Sequence, residues 1–152
     1  MAIGGHGISG YGWFAFPVAA VVGVGTLGLV WLRRSWMVLD VTGTSMEPTY
    51  LSGTRLLAVR GARVRRGQAV VLEHQGPDAA QRPPGGSDYL VKRLAALPGD
   101  PVPPSVRPMV HVDTVPSGQC VVLGDNPDST DSRTWGFVLR SDIVGRVVRA
   151  LP

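Results

Sequence analysis

The first 32 residues of this 152-residue chain contain no Lys, Arg, Asp or Glu. Within them, Trp13 to Leu32 reads WFAFPVAAVVGVGTLGLVWL. A helix needs roughly 20 apolar residues to cross a bilayer core, and this run has that length. Pro17 and the glycines are tolerated in membrane helices better than in soluble ones, and Trp13 and Trp31 stand near the ends, where indole rings favour the interface. A secretory leader would show a basic start, a shorter apolar core and small residues before a cut. Here no Lys or Arg precedes the run, and Arg33 and Arg34 follow it. The reading is a retained single anchor, residues 1–36, with its helix over about 13–32. Residues 37–152 then have room for one compact domain.

That domain reads as β. Short runs rich in Val and Leu, bounded by Gly, Asp and Pro, occur at 54–61, 68–74, 89–94, 119–125 and 142–151. Such composition favours strands over helices. No stretch of helical period and useful length follows residue 40. The fold class expected is mainly β: a transmembrane helix, then a small folded-sheet or barrel-like domain. QGPDAAQRPPGGS (75–87) reads as a flexible loop, and PGDPVPPSVRP (98–108) as a connector that resists regular pairing.

Charge and cysteine content narrow the partners. The net +4 belongs to the part after residue 32, and RGARVRR (60–66) concentrates it. That segment reads as a solvated hairpin or as a contact for the anionic head groups of a lipid bilayer. No aromatic residues interleave with the arginines, so nucleic acid is not an expected partner. Cys120 is the only cysteine, which excludes an intramolecular disulfide and a multi-cysteine metal site. In its apolar run it reads as a buried, inert thiol. No metal and no cofactor is expected.

Three segments carry the chemistry. In TGTSMEPTY (42–50), Ser45 lies between Gly43 and Pro48, residues that set the backbone and present a side chain. A serine hydroxyl attacks a carbonyl only when a neighbour removes its proton. His6 lies before the anchor, and neither His74 nor His111 sits in a pattern that would aim it. The chain has one lysine among its 15 basic residues, Lys92, within the strand-like YLVKRL. Lysine can lose its proton and arginine cannot. Facing inward among Leu90, Val91 and Leu94, its ammonium would be disfavoured and its pKa lowered toward about 7 to 8, the range of a usable base. The third segment, VVLGDNPDSTDSRTWGFV (121–138), packs many donors and acceptors around Arg133, with Asp131 as an ion-pair candidate. It reads either as a self-capped polar turn or as a network that fixes geometry.

GTSMEPTYLSG, YLVKRLAALPGD and VVLGDNPDSTDSRTWGFV resemble, in order and rough spacing, the three catalytic boxes of the type I signal peptidase family (S26), the serine–lysine membrane peptidases. The resemblance runs from about Val41 to Leu151. It implies Ser45 as nucleophile, Lys92 as general base and the Ser45 backbone N–H as an oxyanion donor. Some members carry a second donor, a serine two positions before the nucleophile; Gly43 stands there. The resemblance further implies that Ser129 orients the lysine amine, that Asp125, Asp131 and Arg133 form the supporting network, and that Arg93 is the charged neighbour of the base. Met46, with Trp36, faces the membrane. The third box is one residue shorter than the usual pattern, so Thr130 competes with Ser129 for the orienting role. The connector 101–118 is too short for the accessory subdomain of larger members.

The function so implied is membrane-anchored cleavage of signal or leader peptides from exported precursors, through an acyl-enzyme. The polypeptide partners would carry small residues before the cut and dock as an added strand. Two other readings are a maturation protease dedicated to one partner and a catalytically inactive, membrane-tethered binding domain; intact Ser45 and Lys92 argue against the second. The implied location is the plasma membrane, single-pass, with the catalytic domain outside the cytoplasm. Arg33 and Arg34 work against that orientation, because basic residues flanking a span tend to stay inside.

Overall fold

β-Branched and leucine-rich runs pair into one antiparallel sheet. The computed structural model describes residues 35–73 and 89–152. The anchor run 13–32, the loop 75–87, His6 and His74 lie outside them. Among the described residues no helix is long and apolar enough to cross a membrane. The strands are β1 (Trp36–Asp40), β2 (Arg55–Arg60), β3 (Ala69–Glu73), β4 (Tyr89–Ala96), β5 (Gln119–Leu123), β6 (Val138–Leu139) and β7 (Ile143–Ala150). Their order in the sheet is β1-β2-β7-β3-β4-β5-β6. The last strand thus lies in the interior, bonded to β2 on one side and β3 on the other.

The five runs expected as strands are strands. Sequence reading missed β1 and β6. Trp36-Met37-Val38-Leu39-Asp40 alternates exposed and buried residues, but its first residue falls within the segment 1–36 expected as an anchor. β6 has only two residues, too few for a pattern. The Pro-rich connector forms a single bridge, Pro101 to Thr114, and one helical turn, α1 (Arg107–Val110). A second turn, α2 (Ser132–Trp135), interrupts the third box.

Burial explains the curl of the sheet. On β3, Ala69 and Val71 enter a core with Met37, Leu39, Leu56, Ala58 and Val91. Val70 and Leu72, on its opposite face, pack with Val64, Leu94, Cys120 and Val122. A strand buried on both faces needs covering elements on both, and a coiled sheet provides them. Register shifts at Leu57/Ala58, Val71/Leu72 and Leu94/Ala96 mark where the strands bend. Ala96, Val102, Val106, Val115 and Val121 form a third cluster under the connector. Cys120 is fully buried, and burial pushes its thiol up to about 11, out of the reactive range.

One expectation is corrected here. Met46 does not face outward: it is 0% exposed and packs in the cluster of Met37, Leu39 and Leu56. The turn after Ser45 winds back on itself, with Tyr50 N–H donating to the Met46 carbonyl, and carries the thioether into the core. Met37 is likewise buried, whereas Trp36 and Val38, on the other face of β1, are exposed. The exposed apolar side chains here are Trp36 and Val38 of β1 and Leu51 late in the turn that follows it, not Met46.

Candidate active site

β4 delivers the lysine. Lys92 pairs with Val70 of β3, so its side chain leaves the sheet on the face that buries Val70 and Leu94. It is 3% exposed. Burial lowers its pKa to about 8; the Asp131 carboxylate pulls upward against this, and the Arg133 guanidinium pushes further down. Its Nζ donates to Ser129 Oγ at 2.8 Å and stands 5.7 Å from the ring centre of Trp135. Of the two candidate hydroxyls in the turn, Ser129 is therefore the one bonded to the amine.

The serine comes from the turn between β1 and β2. Ser45 and Lys92 line one open cavity of about 320 Å³, together with Thr44, Leu90, Ser129 and Trp135. Among the described residues no histidine lines it; His111 caps α1 and faces a separate hollow with Arg107 and Asp113. A second hollow of about 30 Å³ adjoins Ser45 between Asp40–Thr42 and Tyr89–Val91, with Met46 in its wall. Gly43, at φ 84°, adopts a backbone conformation that a side chain disfavours.

The third box holds these two parts together. Asp131 is fully buried and receives two bonds from the Arg133 side chain, Nε at 2.9 Å and Nη2 at 2.7 Å. Burial pushes the Asp131 carboxyl up, but the bonds from Arg133 and from the Gly124 N–H outweigh it and leave the pKa below the usual range. Arg133 also donates to the Pro127 and Asn126 carbonyls, so one guanidinium clasps the turn. Gly124 admits no side chain: a Cβ there would overlap the Ser129 side chain and the Ser45 carbonyl. Ser132, buried at the start of α2, accepts from the Val122 N–H at 3.0 Å and fixes the turn to β5.

Arg93 leaves β4 on the face opposite Lys92. It grips Asp125 with two bonds, at 2.7 and 2.6 Å, and donates to the Gly67 carbonyl. The Arg93 bonds, helped by Thr49, hold the Asp125 carboxyl below its ordinary pKa. This pair braces the third box against β3 and the nucleophile turn without reaching the cavity. Ser45, Lys92 and Ser129 thus line one cavity, with the Asp131–Arg133 and Arg93–Asp125 pairs behind them. Gly124, Asn126, Ser132 and Trp135 were not singled out from sequence. They stand inside the quoted third box, but nothing local distinguishes them from turn residues.

The family model described as signal peptidase, peptidase S26, matches residues 13–106 and 104–151. The chain is 33% identical to a probable signal peptidase I-2 of Synechocystis sp., with 70% of the chain and 58% of the relative covered. It is 28% identical to signal peptidase I of Leptolyngbya laminosa (71% and 64% covered) and 31% identical to mitochondrial ATP-independent inner membrane protease subunit 2 of Arabidopsis thaliana (72% and 54%). It therefore spans somewhat over half the length of these relatives. With the family model matched along most of its length and the three boxes gathered around one cavity, the chain belongs to the signal peptidase family, peptidase S26.

Proposed function

We propose that this chain is a membrane-anchored serine endopeptidase that removes signal or leader segments from exported precursors, with Ser45 as nucleophile and Lys92 as general base. One observation carries the reading: the chain's only lysine is buried, has its pKa lowered to about 8, is hydrogen-bonded to Ser129, and shares a cavity with Ser45. A solvated lysine would be protonated at neutral pH and of no use as a base. Neutral Lys92 takes the Ser45 proton as Oγ attacks the scissile carbonyl. The Ser45 N–H stabilises the resulting oxyanion. The ammonium then protonates the leaving amine, and an acyl-enzyme remains. Lys92, neutral again, deprotonates a water that attacks the ester, and the proton returns to Ser45 Oγ. Ser129 aims the amine, and the Asp131–Arg133 pair holds the turn that carries Ser129.

The substrate would lie extended across the two hollows beside Ser45. The smaller, of about 30 Å³, suits a small side chain near the cut, and the backbone at Asp40–Thr42 offers a place for an added strand. Membrane location is supported by the uncharged run at 13–32, by the family and by the exposed Trp36 and Val38 of β1. The extracytoplasmic side follows from where exported precursors are cut.

Mass spectrometry of precursor peptides incubated with the detergent-solubilised full chain tests this. A single cut after a small residue is expected, and none with Ser45→Ala. Cleavage by the Ser45→Ala protein at the normal rate would remove the nucleophile assignment. Cleavage of one precursor among a broad panel would select the dedicated protease over general processing.

A further inference from the structure

The nucleophile turn and the turn after β5 meet through one residue. Asn126 Nδ2 donates to the Thr44 carbonyl at 3.1 Å, across 82 positions of sequence. The Asn126 backbone N–H donates to the Ser45 carbonyl, also at 3.1 Å. These two carbonyls belong to the two peptide units that flank the Ser45 Cα. Each unit is planar, so a bond on its oxygen helps to fix the whole plane. Asn126 therefore grips the backbone on both sides of the serine.

The first of these grips has a chemical consequence. The unit that begins with the Thr44 carbonyl ends with the Ser45 N–H, the oxyanion donor of the proposed mechanism. In a trans unit the two groups point in opposite directions. A donor on the Thr44 oxygen thus stands at one end of a hydrogen-bonded chain whose other end is the oxyanion, and each bond in such a chain polarises the next. The Thr44 carbonyl also accepts from the Glu47 N–H at 3.0 Å, so the local turn alone supplies one bond and Asn126 the second. Gly43 offers no hydroxyl that could share the oxyanion, so this amide has more to do.

Asn126 is held for the task. Its Oδ1 accepts from the Asp128 N–H at 2.9 Å, which orients the amide and leaves Nδ2 for Thr44. Its own carbonyl accepts from the Ser129 N–H at 3.1 Å and from Arg133 Nη2 at 2.9 Å. The residue that grips the nucleophile is thus clasped by the arginine and by the amide of the serine that bonds the base.

We propose that Asn126 is a positioning residue for the oxyanion-binding amide of Ser45, fixing and polarising the Thr44–Ser45 peptide unit; this rests on the serine–lysine reading above. The test compares the full-length chain with Asn126→Asp and Asn126→Ala. The Asp variant keeps the size and the acceptor toward Asp128 but turns a carboxylate oxygen on the Thr44 carbonyl. Three quantities are read: kcat and KM for a cleavable peptide, affinity for a peptide aldehyde that forms a tetrahedral adduct on the serine, and the pH midpoint of kcat. Both variants should lose roughly 10- to 100-fold in kcat, less than the loss of a direct oxyanion donor, with KM nearly unchanged. Affinity for the aldehyde should fall by a similar factor, and the pH midpoint of Asn126→Ala, which adds no charge, should stay where it is in the parent. Undiminished kcat in Asn126→Asp would overturn the inference. So would a shifted pH midpoint in Asn126→Ala, which would place its action on Lys92, or an equal loss of affinity for an uncleavable ground-state peptide. If the parent chain itself neither cuts peptide nor forms the aldehyde adduct, the serine–lysine reading falls and this inference with it. A reactive parent whose variants match it overturns the inference alone.

Discussion

A buried lysine pulls stability and activity in opposite directions, and Lys92 is where this chain can be tested most directly. Its pKa of about 8 means that the neutral fraction, and hence turnover, should rise through pH 7 to 9 and level off above. Lys92→Arg should be as inactive as Lys92→Ala, because a guanidinium stays protonated; substantial activity in the Arg variant would reduce Lys92 to a bystander charge. The linkage to folding has a definite sign. The folded pKa lies below the 10.5 of a solvated lysine, so between about 8 and 10.5 the unfolded chain binds more protons and stability rises with pH. Below that window both states are protonated and the full burial cost is present. Lys92→Met should therefore be more stable at pH 7, by on the order of 1–3 kcal/mol, and should lack the alkaline gain. Urea unfolding of both proteins at pH 7 and pH 10 measures the difference. The orienting hydroxyl is a second residue-scale test. Ser129→Ala should cut kcat roughly 10- to 1000-fold by freeing the amine on its four methylenes. Thr130→Ala, exposed and outside that hydrogen bond, should stay within about two-fold. The reverse ranking would transfer the role to Thr130.

At the scale of elements, the turn from β5 into α2 is the part that cannot change shape. Gly124, just past the end of β5, lies against the nucleophile turn, and a methyl there would meet both the Ser129 side chain and the Ser45 carbonyl. Gly124→Ala should therefore separate the boxes: activity should fall by roughly 100-fold or more, since small misplacements of reacting groups are costly. Wild-type turnover in that variant would mean that the turn yields without consequence for the site. Asp131 is the buried anchor of the same element. Removing its charge leaves Arg133 and the Gly124 N–H without their acceptor, and Asp131→Ala should lose about 3–5 kcal/mol of stability, read by thermal or denaturant unfolding. Loss of activity with unchanged stability would contradict a bracing role.

Over the whole molecule, an apolar edge and a basic segment share the catalytic domain. Trp36 and Val38 project from the outer face of β1, immediately after Arg33 and Arg34 in sequence. A fragment of residues 35–152, which form a compact unit, should still bind anionic vesicles. Trp36→Ser with Val38→Ser should weaken that binding by roughly ten-fold or more, from the apolar area withdrawn from lipid. Met46→Ser should instead destabilise the fold, because its side chain is in the core. Vesicle binding indifferent to Trp36 and Val38 would detach this edge from the bilayer.

The division between what could be read and what had to be seen follows from range. Ser45 and Lys92 were legible because their evidence is local or chemical: a serine between Gly43 and Pro48, and a lone lysine in a chain that otherwise uses arginine for positive charge. Five strands were legible from short apolar runs between turn residues, because strand pairing rewards such runs wherever the partner lies. The two missed strands were not, one because it abuts the uncharged apolar run and the other because it spans a single pair of residues. The direction of a side chain belongs to the tertiary structure, since in a sheet a shift of one residue exchanges its two faces. The folding of the turns likewise decided that Ser129, the first candidate from sequence, meets the amine and its rival Thr130 does not, and that Met46, expected outside, lies in the core. It is also why Asn126, one polar residue among many in a turn, becomes a link to Thr44 and Ser45 only after β4 and β5 have brought distant turns together. The sequence by itself determined which groups can do the chemistry; the packing of the curled sheet decided which neighbours aim them.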